Sequence, residues 1–217
     1  MNCHGISVFE SGRFYFLEND GGEENDMRQM ELKILSEGKV LSGDILKVGN
    51  FLNQQIDTDF LKSVADEIAK MFSDEGITKI LTIESSGIAL AIAAGMVMGV
   101  PVVFAKKHKS SNVDGEVYST KVHSFTHGTD YNAVVSRDYL LQTDKVLLVD
   151  DFLASGNALK GLVELVAQAH AELAGAVVAI EKKYQGGGDA LRDAGVRVEP
   201  LACIESMDEH EIRFCQL

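Results

Sequence analysis

The chain has 217 residues, of which 46% are hydrophobic and 24% are charged. This length and composition are ordinary for a globular protein with one well-buried core, so one principal domain is expected. The 33 acidic and 20 basic side chains give a formal net charge of -13, which argues against sequence-independent binding to nucleic acid and requires any phosphate group to be held locally.

The cysteines and the apolar runs indicate the cellular setting. Cys3, Cys203 and Cys215 are odd in number and have no CxxC spacing, so buried or inert thiols are expected rather than a disulfide framework or a zinc site. No stretch reaches about 18 consecutive apolar residues, and the chain does not start with a basic segment followed by a long apolar run. We therefore expect a cytoplasmic protein with no membrane segment.

Residues 1–29 differ from the rest of the chain. Five acidic residues crowd around Gly21 and Gly22 with no basic residue among them, and we expect poor order there. The aromatic run 14–16 leaves two possibilities open, a short docked strand or an extension with no role in the fold. The folded domain is expected to cover residues 30–217.

From residue 30 onward, strand-like and helix-like segments alternate, which is the pattern of a parallel sheet with helical crossovers. The predicted fold class is therefore α/β, with a five-stranded, mostly parallel sheet flanked by helices. The five core strands are predicted at 79–83, 101–105, 133–136, 146–149 and 176–180.

Residues 146–158 join an apolar strand, two adjacent carboxylates and a turn of small residues. Asp150 and Asp151 come at the carboxyl end of the strand, where open α/β sheets bind ligands, and could accept hydrogen bonds from a sugar diol. The following helix points its positive end into the turn, whose small side chains leave the N–H groups open to a phosphate. An ordinary strand-to-helix turn is the alternative. The turn consists of Ala154, Ser155, Gly156, Asn157 and Ala158.

This run resembles the phosphoribosyl-diphosphate (PRPP) signature of the type I phosphoribosyltransferases, in which an apolar strand leads into an acidic pair and a phosphate loop. The resemblance covers roughly residues 30–217. It implies the family's fold, with a small hood built from about 30–57 and 196–217. It also implies a homodimer and a substrate that enters as the Mg2+ complex of PRPP.

A second turn follows the first predicted strand and opens an apolar helix, so its N–H groups face the same sheet edge. It indicates a second anion site, and a simple helix N-cap is the alternative. In the family this position is the pyrophosphate loop, often with a non-proline cis peptide, which we place between Ser85 and Ser86. The turn consists of Glu84, Ser85, Ser86 and Gly87.

Residues 106–128 form a polar stretch that is too long for a routine connection. The resemblance implies a mobile loop that closes over PRPP and excludes water. Lys107, with Lys106 and Lys109, is then a candidate to meet the pyrophosphate. A solvated basic surface is the alternative.

Two further segments resemble the base-binding segments of family members that use xanthine. The stretch 180–182 implies that Lys182 donates to the 6-oxo group of the purine. The stretch 46–57 implies that Asn53 donates to the 2-oxo group and that Leu46 packs on the ring. A purely structural Leu46 and a flipped Asn53 amide that accepts from guanine remain open.

The implied reaction transfers the phosphoribosyl group of PRPP to N9 of xanthine, giving xanthosine 5'-monophosphate and pyrophosphate in purine salvage. One alternative is a PRPP-sensing regulator of a purine operon, which the short acidic leader without a helix-turn-helix pattern disfavours. Another is an enzyme that prefers guanine or hypoxanthine. No nucleic-acid or membrane partner is expected.

Overall fold

The computed structural model describes residues 6–10, 13–17, 28–41, 44–107, 115–124 and 128–216. A π-helical turn lies at Gly49–Asn53 and a 3-10 turn at Lys183–Gln185. The helices of these ranges are α1 (Gln29–Glu37), α2 (Thr58–Met71), α3 (Gly87–Met98), α4 (Asn157–Gln168) and α5 (Gly187–Asp193). The strands are β1 (Ile6–Glu10), β2 (Arg13–Leu17), β3 (Lys39–Leu41), β4 (Ile45–Lys47), β5 (Lys79–Ile83), β6 (Val102–Ala105), β7 (Val117–Ser124), β8 (Thr129–Ser136), β9 (Lys145–Leu153), β10 (Glu172–Lys182), β11 (Val198–Met207) and β12 (Glu211–Phe214).

The main sheet runs in the order β2-β1-β12-β11-β10-β9-β5-β6. Its strands β11, β10, β9, β5 and β6 pair in parallel. Strands β12, β1 and β2 extend it with antiparallel pairs. The predicted α/β class with five parallel strands is confirmed, but β11 takes the place that the sequence assigned to 133–136.

The prediction of a core strand at 133–136 is wrong, because these residues belong to a separate hairpin. Strand β8 pairs with β7 from Thr129 to Ser136, so the polar stretch that predicted a loop contains a strand. This hairpin packs on α4, where Val122 is buried and Gln168 exchanges hydrogen bonds of 3.2 and 3.0 Å with the Ser119 backbone. Residues 108–114 and 125–127 lie outside the described residues.

Strand β9 is apolar at successive positions because both faces of the sheet are covered. Val146 and Leu148 pack in one cluster with α4, whereas Leu147 and Val149 pack in another with α2 and α3. All four side chains are fully buried, and each is worth about 1.5–3 kcal/mol relative to exposure. A slip of one residue would exchange the two faces, so the packing places Asp150 at the edge of the sheet.

The N-terminal segment contributes a hairpin to the sheet edge. Strand β1 pairs with β12 and with β2, which confirms the strand interpretation of residues 14–16. The acidic segment around Gly21 and Gly22 lies outside the described residues. Helix α1 begins at Gln29, one residue before the predicted start of the folded domain.

The predicted hood falls into two parts. Helix α1, the β3–β4 hairpin and the π-helical turn make up the first part, residues 30–57. The second part, residues 196–217, contributes β11 and β12 to the main sheet. The division of the chain into hood and core stays a prediction.

Cys203 in β11 and Cys215 after β12 form a disulfide, with their Cα atoms 5.3 Å apart. The Cys215 N–H also donates to the Cys203 carbonyl at 2.7 Å. The prediction of inert thiols is wrong for this pair, because the antiparallel hairpin brings together two cysteines that no short spacing motif would connect. Cys3 lies outside the described residues.

Helix α3 is the most apolar helix of the described ranges and is only partly covered. Leu90, Ala91 and Ala94 are fully buried, whereas Met96 is 80% exposed. No helix in the part of the chain that the structure describes is both long and apolar enough to cross a membrane.

Glu31, in the first turn of α1, predicts a pH-dependent stability. Its carboxylate is 6% exposed and accepts the Arg28 N–H at 3.1 Å, and burial raises its pKa from 4.5 to about 6. The folded chain therefore holds this proton more tightly than the unfolded chain, so stability falls as pH rises through 4.5 to 6 and stays lower above that window.

Glu31→Gln should remove the loss of stability that accompanies ionisation of Glu31 above pH 6. Urea unfolding should find the variant about 1–2 kcal/mol more stable than the parent at pH 8 and no more stable at pH 4. The control Asp66→Asn, in an exposed pair with Lys62, should change stability by less than about 0.5 kcal/mol at either pH. Equal stability of E31Q and the parent at pH 8 would contradict the assignment.

Candidate active site

A cleft of about 590 Å³ opens at the carboxyl ends of the parallel strands. It lies between the turns that follow β5 and β9, the end of β10, the β3–β4 hairpin and the β7–β8 hairpin. The predicted site residues that line it are Leu46, Asn53, Glu84, Ser85, Ser86, Lys107, Asp150, Asp151, Ala154, Ser155, Gly156, Asn157, Ala158 and Lys182. The structure thus brings together groups that are more than 130 positions apart in the sequence.

The acidic pair lies at the floor of the cleft. Asp150 is 4% exposed, and its Oδ1 accepts the Asp151 N–H at 3.0 Å. Burial, followed by the charge of Asp151, raises the pKa of Asp150 well above its usual range, against a smaller effect of Lys107. Burial also raises the pKa of Asp151, and a hydrogen bond from the Asn53 side chain opposes this shift without cancelling it. The pair therefore holds protons tightly and favours a cationic partner.

Gly87 lies directly behind the acidic pair. A Cβ at this position would stand 2.5 Å from Thr82 Oγ1 and 2.6 Å from Asp150 Oδ1, so only glycine lets α3 begin this close to the carboxylate. The buried Thr82 hydroxyl has no hydrogen-bond partner among the described residues. Gly87, predicted to bind PRPP, thus stands behind the cleft wall and gives Asp150 its space.

The turn after β9 has the backbone conformation that an anion site needs. Gly156 adopts φ +80°, and α4 begins at the next residue, so the first N–H groups of the helix face the cleft. The Asn157 amide donates to the His123 carbonyl at 3.2 Å. The β7–β8 hairpin is thereby tied to this turn.

The turn after β5 contains a cis peptide between Glu84 and Ser85. The predicted position, between Ser85 and Ser86, is wrong by one residue: the cis bond is the first of the turn, directly after β5 ends at Ile83. Ser86 occupies the N-cap position of α3 without a side-chain capping hydrogen bond. Its hydroxyl is thus not used in the N-cap role that the sequence left open.

Of the candidate lysines in the polar stretch, the structure places one at the cleft. Lys107 lines the cleft: its N–H donates to Glu84 Oε2 at 3.0 Å, and its ammonium stands 5.3 Å from the centroid of the Tyr131 ring. Lys106 lines a different groove beside the edge strand β6. Lys109 lies outside the described residues.

Lys182, the last residue of β10, lines the cleft beside the β3–β4 hairpin. Its ammonium donates to the Asp44 carbonyl of the β3–β4 turn and stands 5.9 Å from the centroid of the Phe152 ring. Burial lowers the pKa of Lys182. A cation, an aromatic ring and the buried side chain of Leu46 thus face one space, which suits a flat heterocycle with an acceptor at its edge.

Sequence reasoning missed several side chains of the cleft. Burial, and then the charge of Asp150, raises the pKa of Tyr131. His123 Nδ1 lies 2.7 Å from Asp130 Oδ1. Tyr131 and His123 lie on β8 and β7. Exposed and buried residues alternate from Ser119 to His123, a strand pattern that a loop interpretation of 106–128 passes over.

Comparison with known proteins identifies the class. The phosphoribosyl transferase domain matches residues 53–197. Adenine phosphoribosyltransferase from Trypanosoma brucei superposes with a TM-score of 0.67, at 19% identity, over 87% of this chain and 83% of its own. That from Saccharomyces cerevisiae superposes with a TM-score of 0.62, at 20% identity, over 79% and 96%. The fold is thus shared, and the chain belongs to the phosphoribosyltransferase family.

Curated relatives of higher identity share the name of one particular phosphoribosyltransferase. Xanthine phosphoribosyltransferase from Lactiplantibacillus plantarum is 46% identical over 87% of this chain and 96% of its own length. The protein of the same name from Bacillus cereus (strain AH187) is 49% identical over 88% and 96%. The resemblance predicted from separate segments therefore extends over most of the chain.

The acidic pair yields a prediction about the ligand-free protein. Because the folded-state pKa of Asp150 is raised, stability is lost as pH rises above the ordinary carboxyl value, and an amide at this position avoids the loss. Asp150→Asn should raise Tm at pH 8 by at least about 2–4 °C and leave it unchanged at pH 4.

Asp144 provides a matched control of opposite sign. Burial opposes ionisation of Asp144 as well, but its hydrogen bonds with Lys79 Nζ (2.8 Å) and the Leu141 N–H (2.8 Å) prevail and lower its pKa. Asp144→Asn should therefore lower Tm at pH 8. A D150N variant that melts below the parent at pH 8 would show that the acidic pair stabilises the empty protein, contrary to this account.

Proposed function

We propose that this protein transfers the phosphoribosyl group of PRPP to N9 of xanthine, giving xanthosine 5'-monophosphate and pyrophosphate in purine salvage. The observation that carries the proposal is that two small-residue turns, an acidic pair and Lys182 line one cleft. Over 87–88% of its length the chain is 46–50% identical to xanthine phosphoribosyltransferases. These relatives are transferases by name, which favours an enzyme over the regulator alternative.

The two turns are suited to the two ends of PRPP. Residues 154–158 would hold the 5'-phosphate with backbone N–H groups and Ser155, aided by the positive end of α4. Residues 84–86, together with Lys107, would hold the pyrophosphate. Asp150 and Asp151, which lie between the turns, would accept hydrogen bonds from the ribose hydroxyls. This assignment gives the two phosphorylated ends of the substrate two different turns of one cleft.

The reaction needs no covalent nucleophile from the protein. The bond from C1 of the ribose to the pyrophosphate oxygen breaks while the bond to N9 forms, and the base releases one ring N–H proton to solvent. Positive charge develops on the ribose and negative charge on the leaving group. Buried carboxylates beside the ribose and N–H groups beside the pyrophosphate stabilise these charges in a site of low dielectric. Positioning of the two reactants supplies much of the remaining rate.

Base selection rests on the end of the cleft near β10. The Lys182 ammonium can donate to the 6-oxo group of xanthine, whereas the 6-amino group of adenine would face it with a second donor. Asn53 would donate to the 2-oxo group, and Leu46 would pack on the ring. In the free protein Lys182 donates to the Asp44 carbonyl, so the base would replace that acceptor.

Magnesium is proposed to enter as part of the substrate. Asp150, Asp151 and Glu84 line the same cleft, and the chain carries a net charge of -13. A diphosphate without a counter-ion would be repelled by this field, whereas its magnesium complex would not.

A homodimer is also proposed. Helix α3 leaves three apolar side chains at its surface, Ile92 (47%), Met96 (80%) and Val97 (41%). Apolar groups clustered on one exposed helix are typical of a surface that a second copy covers.

We further propose a cytoplasmic location. PRPP is a doubly phosphorylated polyanion, and a bilayer excludes such a molecule because burying its charges in hydrocarbon is costly. The enzyme would work in the compartment in which PRPP is made.

The first test of the function is a competition assay with the variant D150N/D151N as its counterpart. With PRPP, Mg2+ and equal amounts of xanthine, guanine and hypoxanthine, the parent protein should consume xanthine first. The double variant should lose at least about a hundredfold in kcat/KM without a lower Tm, because the ribose loses its charged acceptors. The control D66N/D74N alters two exposed carboxylates and should keep full activity. Near-normal turnover of D150N/D151N would refute the assigned roles.

A second test places a charge in the phosphate turn. Ser155→Asp adds a carboxylate where the 5'-phosphate is proposed to lie, whereas Ser155→Asn adds a side chain of the same shape without the charge. Steady-state kinetics should show KM for PRPP raised at least about a hundredfold in S155D and much less in S155N, with KM for xanthine little changed in both. Equal effects of the two variants would mean that the phosphate lies elsewhere.

A further inference from the structure

Helix α5 forms the support beneath the phosphate turn. The Gly187 N–H donates to the Ala154 carbonyl at 3.1 Å. A Cβ on Gly187 would stand 2.2 Å from that carbonyl oxygen and 2.5 Å from the Gly156 nitrogen. A Cβ on Gly156 would in turn stand 3.1 Å from the Gly187 oxygen. The two backbones touch with no space for a side chain, so a displacement of α5 would displace the phosphate turn.

A buried ion pair holds α5 in place. Glu181, in β10, is fully buried and accepts two hydrogen bonds from the Arg192 guanidinium of α5, at 2.9 and 2.6 Å. Arg192 also donates to the Val198 carbonyl at 3.3 Å. A Cβ on Gly188 would stand 1.9 Å from Glu181 Oε1, so the carboxylate fills the space that a side chain on α5 would need. The paired geometry fixes the orientation of α5 against β10 and β11.

These groups do not line the cleft, and the proposed chemistry does not use them. Glu181 and Arg192 are absent from the residues that face it. The net contribution of a buried ion pair to stability is often small, because desolvation opposes the attraction of the charges. A bidentate pair does fix the relative orientation of its two partners. Here it fixes α5 against β10, and α5 in turn contacts the backbone of the turn at 154–156.

We propose that Gly187, Glu181 and Arg192 are positioning residues for the 5'-phosphate of PRPP. The ion pair fixes the position of α5. The backbone of Gly187, which has no side chain, then fixes the positions of the Ala154 carbonyl and the Gly156 N–H from behind the turn. The turn then presents its N–H groups to the phosphate without rearranging. The proposal rests on the proposed role of residues 154–158 as the phosphate turn.

Gly187→Ala tests the contact directly, with Gly195→Ala as its control. Gly195 has φ +85° and open space around it, so an alanine there strains the end of the α5 segment without touching the turn. G187A should raise KM for PRPP at least about tenfold and leave KM for xanthine within about twofold, whereas G195A should change neither. Equal KM values for PRPP in G187A and the parent would overturn the proposal.

The ion pair is tested with Arg192→Lys and Arg192→Met, and with Arg197→Lys as the control. Arg197 also pairs with two carboxylates, Glu75 and Glu199, but it lies at the amino end of β11, away from the cleft. KM for PRPP should rise at least about fivefold in R192M, less in R192K, and not in R197K, each measured well below the Tm of the variant. If G187A does not fold, this series decides alone. An unchanged KM for PRPP in folded R192M and R192K would overturn the proposal.

The S155D and S155N pair separates this proposal from the function on which it rests. A charge effect at Ser155 with no effect of G187A, R192M or R192K would leave the phosphate turn in place and reject the support by α5. No charge effect at Ser155 would reject the phosphate turn itself, and the proposal with it.

Discussion

Parallel pairing of β5, β9 and β10 is the constraint on which the whole cleft depends. Leu81 pairs with Leu148, and Val178 pairs with Asp150, so three strands end at the same edge of the sheet. The acidic pair lies near the end of β9, Lys182 is the last residue of β10, and the two turns follow β5 and β9. Because β9 is buried on both faces, a slip of one residue would exchange its side chains between the two core clusters. The packing of the core therefore sets the geometry of the site.

The site is held at a cost to the stability of the empty protein. Asp150 is buried beside a second carboxylate, and both pKa values are raised, a pattern that is common at functional sites. Close backbone contacts keep this arrangement in place. Gly87 behind Asp150 and Gly187 behind Ala154 leave no space for a Cβ, so each lets a neighbouring helix begin close to a group that lines the cleft.

Local patterns in the sequence predicted most of the cleft. The acidic pair and the turn at 154–158 lie in one continuous run, so strand, charge and small residues could be interpreted together. Contacts between distant segments were not predictable in this way. The Glu181–Arg192 pair and the Cys203–Cys215 disulfide depend on how β10, α5, β11 and β12 meet. Residues 133–136 were assigned to the core because four apolar or small residues fit a buried strand as well as a hairpin that packs on α4.

The most direct test of the account is a crystal structure with xanthosine 5'-monophosphate and magnesium pyrophosphate. It should place the 5'-phosphate on the N–H groups of 154–158 and the ribose hydroxyls on Asp150 and Asp151. The 6-oxo group should lie on the Lys182 ammonium, and the pyrophosphate on residues 84–86. A nucleotide whose phosphate lies outside the turn after β9, or whose ribose does not touch the acidic pair, would contradict it.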